Sequence, residues 1–167
     1  MRSLVGLVAL AACGTPPPQW LPDAGPCVAY AVPSTTDLAT PTMSFHANVM
    51  NILNTHCGSG MCHGSADHPT GGVFLGSSTA MGADAEAAFA AIVGQPSGEL
   101  GSMSLVTPGD PARSYLMHKL DGDQCLFETS CASPGCQHSM PSDLELLLPV
   151  AERDIVRRWI AQGATAN

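Results

Sequence analysis

The sequence predicts a small all-α domain with long loops, preceded by an export signal and an extended tether. Apolar residues recur with helical spacing in several segments, and the alternation of polar and apolar residues that predicts strands is missing. Gly (17) and Pro (14) are abundant among the 167 residues, whereas aromatic residues make up only 5%. This composition indicates a loop-rich domain whose core is completed by something other than its own side chains.

The first residues are predicted to direct export. A basic start at Arg2 precedes an apolar run, 4–12, that is shorter than the about 20 residues needed to span a membrane. Residues 10–13, Leu-Ala-Ala-Cys, resemble the bacterial lipobox, in which the Cys becomes the lipid-bearing first residue of the mature protein. We therefore expect a lipoprotein signal peptide at 1–12 and lipid on Cys13. The alternative is an ordinary hydrophobic terminus with an incidental Cys.

The rest of the chain divides into a tether and one domain. Residues 13–43 are rich in Pro, Ser and Thr, which predicts a flexible tether, and 44–167 form the predicted domain. The formal net charge is −8. Nucleic acid is excluded as a partner, because phosphate binding requires a basic surface. The expected location is the periplasmic side of a bacterial membrane, reached through the lipid anchor.

The candidate functional residues follow the first predicted helix. Apolar residues from Phe45 to Leu53 recur with helical spacing, and Ser44 is a suitable N-cap. This helix leads into residues 57–64, Cys-Gly-Ser-Gly-Met-Cys-His-Gly. Two Cys followed directly by His are typical of covalent haem attachment, in which the thiols form thioethers and the His binds the iron.

The spacing within this motif departs from the common pattern. Four residues separate Cys57 from Cys62, where two are usual. Residues five positions apart lie about 140° apart on a helix, so the insert must bulge for both sulfurs to face one ring. Gly58 and Gly60 permit such a bulge. Two rival interpretations stay open. One is a Cys57–Cys62 disulfide without haem, and the other is a zinc site of Cys57, Cys62 and His63 with a fourth ligand from His68 or the later Cys.

Three further helices are predicted beyond the motif, each with a start or stop signal. They cover 84–93 before Gly94, 112–120 after Asp110-Pro111, and 150–162 before Gly163. The loop 121–149 before the last helix is rich in Cys and carries Met140-Pro141.

In this order, the parts resemble a single-haem cytochrome c domain over residues 45–164. Such domains have an amphipathic helix, the Cys pair with its His, a loop with a Met before Pro, and a final helix bearing an aromatic residue. The matching parts here are 45–53, Cys57, Cys62, His63, Met140-Pro141, and 154–161 with Trp159. Segments 108–116 and 159–164 also resemble predicted cytochrome-type lipoproteins of environmental bacteria.

The resemblance implies electron transfer by a covalently bound haem c, with no enzymatic activity. Cys57 and Cys62 would hold the haem, and His63 and Met140 would bind its iron. His138 is an alternative sixth ligand, since it lies two residues from Met140. The implied partners are redox proteins. Two rival functions are a haem enzyme or sensor with an open iron position, and a disulfide-stabilised binding or structural lipoprotein without haem.

Cysteine parity agrees with these assignments. Once Cys13 is assigned to lipid and the motif pair to haem, four of the seven Cys are left. An even number suits two disulfides in an oxidising compartment, among three possible pairings. The four residues are Cys27, Cys125, Cys131 and Cys136.

Overall fold

Short helices joined by long loops make up the part of the chain that the computed structural model describes, residues 26–79, 82–132, 134–142 and 147–167. The α-helices are α1 (Met50–His56), α2 (Ala85–Ile92), α3 (Tyr115–Asp121) and α4 (Val150–Ala161). A π-helical turn, Phe45–Val49, leads into α1, and 3-10 turns lie at Thr70–Gly72, Pro111–Arg113 and Gln124–Ser130. Two isolated bridges replace strands in these ranges, so the helix-rich structure agrees with the predicted all-α class.

The predicted helix starts are present, with one difference. The side chain of Ser44 accepts the amide of Ala47 at 3.1 Å, as an N-cap does. Asp110 likewise caps the turn Pro111–Arg113. The predicted helix 112–120 is split, however, because Ser114 adopts extended angles (φ −109°, ψ 110°). α3 therefore begins only at Tyr115.

Aromatic side chains join the first helical segment to the last helix. The ring of Phe45 lies 5.0 Å from that of Trp159 and 5.3 Å from that of Phe89, between centroids. Phe45 and Trp159 are both buried, and the indole Nε1 donates to the carbonyl of Thr165 at 3.0 Å. The first helical segment and α4 thus share one core, and such ring pairs add to the free energy of burial.

A buried ion pair joins α3 to α4. The carboxylate of Asp121 accepts from Arg153 Nη1 at 2.6 Å and from Arg157 Nη2 at 2.8 Å. The ring of Tyr30 packs on both guanidinium groups, with centroid distances of 4.5 and 5.1 Å. Asp154 Oδ1 also accepts from Arg157 Nε at 3.1 Å, so two carboxylates compensate the two guanidinium charges, as buried ions require.

Two disulfides are present, as predicted. Cys27 bonds Cys125 across 98 positions, and Cys131 bonds Cys136 across 5 positions. The structure thereby selects one of the three pairings that the sequence left open.

Residues 26–43, within the predicted tether, lie against the domain. Besides the Cys27 disulfide, the amide of Tyr30 donates to Asp123 Oδ2 at 2.8 Å. Gln162 Nε2 donates to the carbonyls of residues 38, 39 and 41. This part of the tether is therefore held by α4 and by the loop after α3. The predicted signal peptide, Cys13 and the predicted tether up to residue 25 lie outside the described residues.

Candidate functional site

A cavity of about 360 Å³ lies among α1, α3 and the loops at 57–75 and 132–142. Its volume falls in the range of roughly 300–1,000 Å³ typical of ligand and cofactor sites. The four residues predicted to hold a cofactor, Cys57, Cys62, His63 and Met140, all line it. Six aliphatic side chains supply much of the apolar wall: Val73, Leu75, Ile92, Leu105, Leu116 and Leu120.

A closed loop directs both motif Cys to this cavity. α1 ends at His56, and Cys57 already has non-helical angles. The amide of Cys62 then donates to the carbonyl of Ser59 at 2.9 Å, and the amide of His63 to that of Cys57 at 3.1 Å. The four-residue insert therefore folds back on itself, and Cys57 and Cys62 line the same space.

Glycines in this loop are required for space. A Cβ on Gly58 would lie 2.7 Å from the carbonyl oxygen of Gly76. A Cβ on Gly64 would lie 2.0 Å from the carbonyl oxygen of Gly58, which no side chain tolerates. The sequence predicted that Gly58 is needed for the backbone angles of a bulge. In the structure it is needed because the backbone at residue 76 leaves no room for a side chain. Gly60 faces open space.

His63 is held in one orientation and one tautomer. Its Nδ1 lies 2.8 Å from the carbonyl oxygen of Val73. Because a carbonyl only accepts, Nδ1 carries the proton and the neutral ring keeps its lone pair on Nε2. A hydrogen bond of this kind is the usual support of a metal-ligating His. The backbone adds a further hold, since the amide of Leu75 donates to the carbonyl of His63 at 3.0 Å.

Met140 reaches the cavity from the loop that precedes the last helix. Its amide donates to the carbonyl of Lys119 near the end of α3, at 2.8 Å. The alternative ligand His138 does not belong to the cavity wall, and neither do Met103 and Met117. Met61 does line the cavity, although 94% of it is exposed. Met61 was not among the ligands predicted from the sequence.

One part of the cavity wall is polar, and no motif in the sequence predicted it. Lys119 Nζ lies 2.8 Å from Glu99 Oε2, and both residues line the cavity. The hydroxyl of Tyr115 donates to the same Glu99 oxygen at 2.8 Å. Burial, together with this hydrogen bond, raises the pKa of Tyr115 above its ordinary value, so the phenol stays protonated. Twenty positions separate Lys119 from Glu99, and only the fold brings them together.

The two Cys pairs with a spacing of five positions differ in whether they form a disulfide. Cys57 and Cys62 are outside any disulfide, whereas Cys131 and Cys136, with the same spacing, are bonded. A Cys57–Cys62 disulfide is thus not formed. The later Cys are consumed in disulfides and are no longer candidates for the fourth zinc ligand. Among the described residues, no three His, Cys, Asp or Glu side chains form a group that would hold a metal ion.

Comparison with known proteins finds no matching family model, no matching curated protein and no matching solved structure. None of the helices in the described ranges is both long enough and apolar enough to cross a membrane. The functional interpretation therefore depends on the residues of this chain.

Proposed function

We propose that this chain is an exported electron-transfer protein with a cytochrome c-like domain and one covalently bound haem c. Cys57 and Cys62 would hold the haem, and His63 and Met140 would bind its iron. The observation that carries the proposal is that these four side chains, from two separate loops, line one apolar cavity.

The residues around the cavity fit this cofactor. His63 keeps a lone pair on Nε2, as an iron ligand requires, because Nδ1 is bonded to Val73. Cys57 and Cys62 retain thiols, the form that adds to vinyl groups. The aliphatic wall suits a large apolar ring, and burial of that ring would add to a core that contains few aromatic residues.

The bound haem would supply a single iron that alternates between ferrous and ferric states. His63 and Met140 would both hold the iron through side-chain atoms of this chain, so the proposal assigns no substrate to it. The thioether of Met140 favours ferrous iron and therefore raises the reduction potential. With the haem bound, the aliphatic part of the wall would lower the local dielectric around it. These roles need no acid, base or nucleophile, so the proposed function is electron transfer to and from redox proteins, without catalysis.

The same proposal places the protein in the cell envelope, attached to a bacterial membrane through lipid on Cys13. The two disulfides support export, since such bonds persist in oxidising compartments. Mass spectrometry of the native N-terminal peptide tests the anchor. We expect a peptide that begins at Cys13 and carries a diacylglycerol and an acyl chain, and an unmodified peptide extending upstream would contradict it.

Haem attachment is tested by expression with a cytochrome maturation system, a visible spectrum and haem staining of a denaturing gel. The wild type is expected to be coloured and to stain, and the double variant Cys57→Ser/Cys62→Ser to lose the stain. Cys131→Ser/Cys136→Ser is the matched control, because it removes a Cys pair of equal spacing. Its stain should persist. A colourless wild type would overturn the proposal in favour of a disulfide-stabilised binding lipoprotein.

A further inference from the structure

The segment that carries Met140 is held at both ends by one residue of α3. We define the Met140 loop as residues 136–140. At its start, Lys119 Nζ donates to the carbonyl of Cys136 at 2.9 Å. At its end, the carbonyl of Lys119 accepts the amide of Met140 at 2.8 Å. The side chain and the backbone of Lys119 therefore bracket the loop.

A second contact supports the middle of the loop. Gln137 has a positive φ of 51°, which is unfavourable for a residue with a side chain. Its carbonyl accepts from Nε2 of Gln124, which is 1% exposed. A strained backbone persists only where the surroundings determine it firmly. The Met140 loop therefore has a conformation imposed by its neighbours.

The hydrogen bond from Lys119 Nζ to the carbonyl of Cys136 is charge-assisted and buried. Lys119 is 6% exposed, and Glu99 compensates its charge at 2.8 Å. A hydrogen bond from an ammonium group is stronger than a neutral one, and exclusion of water strengthens it further. Both Lys119 and Glu99 line the cavity, so this bond lies beside the space that Met140 faces.

We propose that Lys119 is a positioning residue for Met140, whose side chain fixes the start of the loop while its carbonyl fixes the end. This inference rests on the proposed function, in which Met140 is an iron ligand. Without the Nζ contact, the loop keeps its Met but holds the thioether less firmly. Other ligands then compete more easily for the iron position.

The test uses the haem-loaded protein with Lys119→Met, which keeps the aliphatic stem and removes the ammonium. Two readouts apply: the weak far-red absorption of ferric iron bound by Met, and the affinity for added imidazole. Loss of one charge-assisted hydrogen bond predicts a rise in imidazole affinity of about tenfold or more. A merely structural role lowers the free energy of unfolding but leaves imidazole competition unchanged.

Arg158→Met is the matched control. Arg158 Nε also donates to a backbone carbonyl, that of Asp37, at 2.7 Å, but it holds the segment at 26–43. Its far-red band and imidazole affinity should equal those of the wild type. Where Lys119→Met gives too little folded protein, Lys119→Gln, which also removes the ammonium, carries the same test with the same direction of change.

The outcomes separate the two proposals. Wild type that matures without haem overturns the proposed function, and this inference with it. Wild type with the far-red band, combined with unchanged band and imidazole affinity in Lys119→Met or its substitute Lys119→Gln, overturns this inference alone. A raised imidazole affinity in the Lys119 variant, absent from Arg158→Met, supports it.

Discussion

His118 Nδ1 lies 2.7 Å from the carboxylate oxygen Oδ1 of Asp123, and its Nε2 lies 3.1 Å from the carbonyl of Ala112. Both partners only accept, so both bonds form when the ring is the doubly protonated imidazolium. Burial lowers the pKa of His118, but the hydrogen bond and the charge of Asp123 outweigh it, and the pKa lies above its ordinary value of 6.5. Asp123 also accepts the amide of Tyr30, so the pair links α3 to the segment at 26–43.

The protein is therefore expected to lose stability as pH rises above neutrality. A group whose folded-state pKa is raised stabilises the fold fully below its unfolded value of about 6.5. That stabilisation is lost as pH rises through the folded-state value. In urea denaturation from mildly acid to mildly alkaline pH, the difference in free energy of unfolding between wild type and His118→Gln should shrink as pH increases.

His68→Gln is the control for this pH series, because His68 is exposed and its backbone amide, which the substitution retains, donates to Ser65 Oγ. Its difference from wild type should stay flat with pH. If the difference in free energy of unfolding between wild type and His118→Gln grows with pH, the protonated ring of His118 does not stabilise the fold.

The two disulfides should differ in their contribution to stability. Cys27–Cys125 closes a loop of 98 positions and Cys131–Cys136 one of 5. Loop-closure entropy predicts a loss of about 4.7 kcal/mol for the long loop and about 2 kcal/mol for the short one. Guanidinium denaturation of the two Ser double variants measures both. Under reducing conditions the two variants and the wild type should converge, and equal losses without reductant would contradict the entropic account.

Asp121→Asn is expected to be strongly destabilising. The substitution leaves two buried guanidinium groups, on Arg153 and Arg157, without their shared anion. Breaking a buried pair in this way costs about 3–5 kcal/mol. Asp154→Asn is the control, since Asp154 contacts Arg157 from a more exposed position and should cost about 1 kcal/mol or less. Urea denaturation compares them, and similar losses would show that burial is not the cause.

Met140→Ala in the haem-loaded protein should open an iron position. The ferrous variant is expected to bind carbon monoxide, and the ferric variant to lose the far-red band. Met140→His should keep six ligands but lower the potential, because imidazole favours ferrous iron less than a thioether does. Met61→Ala is the control, since Met61 also lines the cavity but is almost wholly exposed. If Met140→Ala leaves spectrum and potential unchanged, the ligand is another residue, and His138 is the next to test.

Local signals in the sequence determined the helices and the composition of the site. Apolar spacing and the Ser44 cap predicted the first helical segment, and Gly163 marked the end of the last helix. The order of Cys57, Cys62, His63 and Met140 predicted residues that the structure places around one cavity. These features depend on neighbours within a few positions or on chemistry carried by single side chains.

Only the tertiary structure decided which distant groups meet. The disulfide pairing, the contact of His63 with Val73, the Lys119–Glu99 pair and the docking of residues 26–43 through Gln162 have no local signal. In each case the sequence does not predict that the two groups come within bonding distance. A hydrogen bond or ion pair depends on that distance and on burial, and both are fixed only when the helices pack.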